Sequence, residues 1–405
     1  MKKTISLILI SVVCAASASA QSAKSVLKAM ELANNHFQTV HPNPATPTFV
    51  KKMRTSNLWT RAVYYEGLCE LIRIENDGNS QQLTQNCKYI TDWTSAHKWS
   101  PRDGVQTRNA DNYCCGQAYI DWALLGAECR VQGAELLSEG DKSALRNQHL
   151  APITECMDNL LKAPESIHDW TWIDAIHMGL PVLTSLTALK AKEGDADAMR
   201  YANQGWKMYV WSRDSLAGGL FNKEEGLWWR DKDFCPPYKA PNGANCYWSR
   251  GNGWVYMALA RAMEDLEGVK GAEEQVEAYK ADFLKMTKAI VDCQRKDKFW
   301  NVDLLDESDF GGKELTGTAM FVYGLAWGVN HGVLTEKVYS DIAKKTWKRM
   351  VKDCLHKDGF LGYVQGTGKQ PSDSQPVGYN HEPDFDDFGL GSFLLAGSEV
   401  YRMNN

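Results

Sequence analysis

The chain of 405 residues alternates between two kinds of helical pattern. In the first, apolar side chains recur three and four positions apart, so one stripe is buried and the rest meets solvent. Residues 272–291 show it most clearly: Val276, Tyr279, Phe283, Met286 and Ile290 share a face, with Glu273, Glu277, Lys280 and Lys288 elsewhere. Residues 23–38, 80–96, 141–162, 195–212 and 335–352 follow the same rule less cleanly. The second kind is apolar nearly all round: 58–72, 111–127, 173–189, 250–263, 316–329 and 388–401. A helix with no polar face is surrounded by protein on every side. Gly67, Gly116, Gly179, Gly253, Gly317 and Gly389 fall early in or within these segments. Strand signals are sparse, and the connections are rich in Gly, Pro, Asn and Asp.

Six fully buried helices alternating with six half-buried ones predict an all-α fold, an (α/α)6 barrel with a ring of helices inside a ring. The competing architecture is an open helical solenoid, whose repeats should be shorter and more uniform. No composition break divides residues 21–405, which are expected to form a single catalytic domain; 228–246 is the longest loop-like insert. In a closed barrel the N-termini of inner helices gather at one end, where their dipoles favour anionic groups. Asp111, Asp174, Arg250 and Thr316 all lie at such starts.

The first residues change the expected location. Lys2 and Lys3, an apolar run over 5–16 and the small-residue site Ala18-Ser19-Ala20 read as a secretory leader, 1–20. The run is too short to span a membrane, and no later segment has the length and apolarity of a spanning helix. The expectation is an exported, periplasmic chain. Loss of two lysines and no acid with the leader moves the net charge from −5 to −7, which disfavours a nucleic-acid partner, since phosphate binding needs a basic surface. Ten of the 11 cysteines lie beyond the leader. Cys235 and Cys246 bracket a Pro- and Gly-rich loop and are the candidate disulfide, whereas Cys114 and Cys115 read as packed thiols. No Cys/His spacing suggests zinc. No metal or cofactor is expected, and the chain is expected to be a monomer.

The chemistry points first to Trp170-Thr171-Trp172-Ile173-Asp174, a carboxylate beside two indoles at a helix start. Aromatic faces bind sugar rings and exclude water. A carboxyl group in such surroundings holds its proton near neutral pH and can deliver it to a substrate. The same residues also fit a buried tryptophan cluster with Asp174 as a helix cap. Fifteen Trp and 16 Tyr in all predict a large aromatic-lined interior or groove.

Three segments carry a resemblance. Trp172-Ile173-Asp174 followed by Met178 and Pro181, then Trp248-Ser249-Arg250-Gly251-Asn252-Gly253-Trp254, then Glu314-Leu315-Thr316-Gly317-Thr318-Ala319-Met320-Phe321 resemble the unsaturated glucuronyl and rhamnogalacturonyl hydrolases of glycoside hydrolase family 105, with family 88 more distant. The resemblance implies an (α/α)6 barrel and hydration of the 4,5-double bond left on a uronic acid by a polysaccharide lyase. It makes the partner an acidic oligosaccharide. By position it makes Asp174 the proton donor and Asp111 a second acid near the substrate. Arg250 becomes a carboxylate partner, and Trp172, Trp248 and Trp254 become stacking faces, with Asn252 and Thr316 in the same motifs. For Arg250 an inter-helix salt bridge is the competing role, and for Asp111 a plain helix cap. One departure stands out. Arg230 occupies a stretch where the family leads one to expect His. Arg binds anions but does not trade protons, so either it binds an extra acidic or sulfated group or a neighbour such as His177 or His168 takes over the proton work. A carbohydrate-binding protein without chemistry, or a different sugar-active enzyme on the same barrel, also fits the residues. The acidic run 381–387 lacks a regular calcium spacing and reads as a capping loop or a wall of the cavity.

Overall fold

A computed structural model describes residues 22–50, 52–78, 80–126 and 138–405. The leader expected over 1–20 lies outside the described residues. In chain order the helices are α1 (Ala23–Val40), α2 (Trp59–Gly78), α3 (Leu83–Ala96), α4 (Ala110–Tyr113), α5 (Cys115–Leu125), α6 (Glu139–Lys162), α7 (Asp174–Lys192), α8 (Met199–Val210), α9 (Ser249–Leu266), α10 (Glu273–Asp292), α11 (Leu315–Asn330), α12 (Lys337–Asp353) and α13 (Asp387–Arg402).

The all-round apolar segments form the inside. Helices α2, α5, α7, α9, α11 and α13 each pack against the next, and α13 returns to α2. That return makes a closed (α/α)6 ring and rules out the open solenoid. The amphipathic helices stand outside, α3 against α2, α6 against α5, α8 against α7, α10 against α9, α12 against α11 and α1 against α13. In α10 the stripe works as its spacing predicts: Tyr279, Phe283, Met286 and Ile290 are fully buried, and Phe283 stacks on Tyr256 of α9 with ring centroids 4.3 Å apart.

Closure needs glycine at the seam. A Cβ on Gly391 of α13 would stand 2.2 Å from the Val63 carbonyl of α2, and one on Gly67 would stand 2.6 Å from the Gly391 carbonyl. Any side chain there would force the two helices apart. Helix α7 carries Pro181 in its interior, which removes the N–H that would meet the His177 carbonyl. Gln117 of α5 donates Nε2 to that carbonyl at 2.8 Å, so the buried acceptor is satisfied from the neighbouring helix.

Two short antiparallel hairpins decorate the barrel: β1 (Thr48–Val50) with β2 (Lys52–Arg54), and β3 (Phe221–Asn222) with β4 (Leu227–Trp228). The disulfide expected between Cys235 and Cys246 is not formed; the nine cysteines of the described residues are all free thiols. Other bonds close that loop. The Ala240 amide donates to the Ala244 carbonyl at 2.9 Å, and Asn242 donates through its amide to Asp306 and through Nδ2 to the Leu305 carbonyl, each at 2.9 Å. Phe234, Ala240 and Cys246 bury one another beneath it.

Candidate active site

The N-termini of the inner helices meet at one end of the barrel, where two carboxyl groups lie near enough for the charge of one to act on the other. Asp174 is the first residue of α7. It does not cap the helix. Instead Oδ2 accepts a hydrogen bond from Arg230 Nε at 3.1 Å, and the residue is 8% exposed. Asp111 lies in the first turn of α4, where Asn109 performs the capping by accepting the Asp111 amide at 3.0 Å. That leaves the Asp111 carboxyl half-buried and out of the cap. Burial and the negative charge of Asp174 push it up to about 6, against the pull of Arg230, Arg54 and Arg102. A carboxyl there keeps its proton closer to neutrality than a free aspartate does.

Local structure fixes this geometry. Trp170 is fully buried and donates Nε1 to the Tyr113 hydroxyl at 2.9 Å, which ties the approach to α7 to the end of α4. Its ring lies against Gly179, where a Cβ would stand 2.5 Å away. The segment after β4 is zipped to the start of α7 by an antiparallel bridge between Trp172 and Asp231, and the Ile173 amide donates to the Arg230 carbonyl at 3.0 Å. This backbone pairing sets Arg230 beside Asp174. Its Nη1 also donates to Asp231 at 2.8 Å, so one guanidinium serves two carboxylates. Beside them opens a cleft of about 540 Å³, lined by Trp172, Trp211, His168, Arg230 and Lys232 among others. Trp172 is half-buried there, as a stacking face must be.

The other motif residues lie deeper than the resemblance implies. Trp248 and Trp254 are buried, at 2% and 0% exposed, and offer no face to the cleft. Trp248 instead donates to Gln365 Oε1 at 2.9 Å. Asn252 is fully buried; its side chain accepts from the Trp228 amide at 2.8 Å and donates to the Trp228 carbonyl at 3.0 Å, fastening β4 to α9. Thr316 is buried and donates to Glu314 Oε1 at 2.5 Å. Arg250, 1% exposed, donates from both terminal nitrogens to the Gln365 and Gly366 carbonyls at 2.6 Å. It lies over the Trp248 ring at 4.5 Å, and burial lowers it to about 10 despite nearby acids. Neither the substrate clamp nor the inter-helix salt bridge describes it: it anchors a loop. His177 is fully buried and meets Glu66 Oε2 at 3.1 Å, away from the cleft. For the residues of α9 and α11 the cause is shared. Loops roof the starts of α9 and α11, with the Ser249 amide donating to the Val302 carbonyl and the Leu315 amide to the Tyr363 carbonyl, each at 2.8 Å. Sequence reasoning missed Glu66, Gln365 and Arg54, which sit in no motif. Only Glu314, two residues before Thr316 in the third motif, carried a local signal, as the cap that accepts the Thr316 and Gly317 amides.

The family model described as Glycosyl Hydrolase Family 88 matches residues 29–404. The chain belongs to glycoside hydrolase family 88. It is therefore a glycoside hydrolase. The motif resemblance named family 88 as the more distant of two; solved family 105 structures share the barrel at identities that speak for the fold alone. A curated relative from Formosa agariphila, an unsaturated 3S-rhamnoglycuronyl hydrolase, is 29% identical over 350 residues, covering 85% of this chain and 84% of the relative. Two solved structures match at 26% identity and a TM-score of 0.76 over 94% of this chain. One is a family 88 hydrolase from Bacteroides vulgatus, covered over 99% of its length; the other, covered over 98%, is described as a polysaccharide lyase.

Proposed function

We propose that this family 88 hydrolase removes a 4,5-unsaturated uronic acid from the non-reducing end of lyase-generated oligosaccharides by hydrating the vinyl ether. The observation that carries the reading is the Asp111–Asp174 pair at converging helix starts, beside a cleft lined by the half-buried indoles of Trp172 and Trp211. The carboxyl proton of Asp174 goes to C4, and water adds at C5, giving up one proton that restores the carboxyl group. The resulting hemiketal opens to a keto-uronate, and the neighbouring sugar leaves. In the free protein Asp174 accepts the Arg230 hydrogen bond, while burial and the charge of Asp174 raise the Asp111 carboxyl to about 6. Asp174 delivers the proton, and Asp111 assists the proton path beside it. His177, buried against Glu66, is out of reach of this task.

The name of the curated relative supports rhamnose bearing sulfate as the leaving sugar. Lys232 and Arg230 on the cleft wall can donate to a sulfate oxygen there, although Asp231 and Asp233 share that wall. The leader read over 1–20 supports action outside the cytoplasm, most directly in the periplasm. The test follows the conjugated double bond by its near-ultraviolet absorbance, with unsaturated disaccharides from sulfated rhamnoglycuronans, pectin and glycosaminoglycans. Loss of absorbance with a stoichiometric keto-uronate product is expected, fastest on the sulfated rhamnose substrate. Persistence of the absorbance on all of them would sink the reading. New absorbance on an intact, saturated polysaccharide would replace it with a lyase.

A further inference from the structure

Four guanidinium groups act on the carboxyl pair, those of Arg54, Arg102 and Arg230 on Asp111 and that of Arg250 on Asp174. Three are engaged. Arg250 is held by two carbonyls and Arg230 by two carboxylates. Arg102 donates to Asn112 Oδ1 at 3.4 Å and lies 3.7 Å from Asp103. Arg54, at the end of β2, differs: among the described residues it makes no hydrogen bond and no ion pair, and its Nε is buried without an acceptor. Among the described residues its side chain meets a ring. The guanidinium lies 4.5 Å from the centroid of buried Phe385.

The stack is itself anchored. Phe385 stands two residues before Asp387, which accepts from Arg61 Nε at 3.1 Å, and the same Arg61 donates from Nη2 to Thr48 in β1 at 3.4 Å. One buried arginine therefore fastens both the hairpin that carries Arg54 and the wall on which it stacks. Stacking leaves the edge of the planar fork, with its donors, free to meet a planar anion in two parallel hydrogen bonds. A half-buried cation without a counter-ion costs stability unless a ligand supplies the charge.

We propose that Arg54 reads the carboxylate of the bound uronate, the role that the motif resemblance gave to Arg250. This rests on the proposed function. The C5 carboxylate on Arg54 would turn the double bond toward the Asp111–Asp174 pair. Arg54 takes no part in the proton transfer; it sets which sugar is accepted and how it lies.

The decisive experiment crosses the residue with the group it reads. Wild type, Arg54→Gln and Arg54→Lys would be assayed on one unsaturated disaccharide as the free acid and as its methyl ester. Arg54→Gln should raise KM for the acid by about tenfold to a hundredfold and change kcat/KM for the ester less than about threefold. Arg54→Lys should recover part of the loss, since an ammonium keeps the charge without the fork. Equal losses on acid and ester, or none on either, would overturn the proposal. The ester serves as a folding control, because a misfolded variant loses both. Calorimetric binding of a saturated glucuronate-terminated disaccharide and its methyl ester separates this inference from the reading it rests on. A wild-type preference for the acid that vanishes in Arg54→Gln supports Arg54 even if no unsaturated substrate is turned over. A preference that survives the substitution, or is absent from wild type, overturns it.

Discussion

The two ends of the barrel are both rich in buried charge, yet they are built on opposite terms. At the far end the C-terminal halves of the inner helices surround a cavity of about 440 Å³ lined by Glu70, Asp121, Arg261, Glu399, Arg402 and neighbours. Each guanidinium there has an acid. Arg402 pairs with both Glu70 and Glu399, Arg73 lies 3.4 Å from Glu70, and Arg261 donates to Asp121 at 2.9 Å. Cations at helix C-termini also suit the dipoles. Burial works against the Glu70 carboxylate, but Arg402 and Arg73 outweigh it and bring the group down to about 2. At the mouth the account is left open. Arg230 is shared by two carboxylates, Asp111 is pushed up to about 6, and Arg54 has no counter-ion among the described residues. A raised carboxyl does not by itself mark the mouth, since burial pushes Asp265 at the far end up to about 7; what sets the mouth apart is a guanidinium with no acid beside it among the described residues.

That contrast can be broken from either end. The largest effect belongs to the mouth: Asp174→Asn should cost about 10²- to 10⁴-fold in kcat with the far-ultraviolet helical signal unchanged, and surviving turnover would remove Asp174 from the chemistry. Next comes the far end. Glu70→Gln should destabilise by about 3 kcal/mol at pH 7 by stranding Arg402 and Arg73, with kcat/KM held within about twofold. Because the folded carboxyl lies below its ordinary value, the stability it supplies is present above about pH 4.5 and lost as pH falls toward 2. A Glu70→Gln variant with native stability but lost activity would invert the comparison.

Asp111 carries the opposite sign. Its folded value lies above the ordinary 3.8, so the stability it contributes is full below that and lost as pH rises through about 6. Asp111→Asn should therefore raise the unfolding free energy at pH 7.5, by no more than about 3 kcal/mol, and with it the melting temperature, leave both unchanged below pH 4, and lower activity. Melts that show the same difference at both pH values would remove the charge argument. The smallest effect is expected at Cys235→Ser. With Cys235 and Cys246 both free, stability should move by less than about 0.5 kcal/mol, and dithiothreitol should not lower the wild-type melting temperature.

Much of this was legible before any coordinates. The helices stand within a few residues of their predicted positions, apart from the later starts of α3 and α8 and the C-terminal extension of α2, and every segment read as apolar all round lies in the inner ring. The positions of Asp111 and Asp174 in first turns of helices were legible because helix starts are local features. Trp248, Trp254, Asn252 and Thr316 were read as substrate contacts for the same reason, since they too sit at helix starts. What removes them from the cleft is the loops roofing α9 and α11, whose backbone bonds join positions 50 residues apart or more in several cases. Arg54 was passed over because nothing around it in the chain distinguishes it from any arginine at a strand end.

The architecture was written in the alternation of one-faced and faceless helices, because a buried stripe or a fully apolar surface is a property of neighbouring residues and needs no knowledge of the partner. The assignment of charges was not. Which arginine anchors a loop, which donates to Asp174 and which is left without an acid depends on atoms brought together across the ring from distant parts of the chain. Electrostatic energy follows that spatial separation, and spacing along the backbone says little about it.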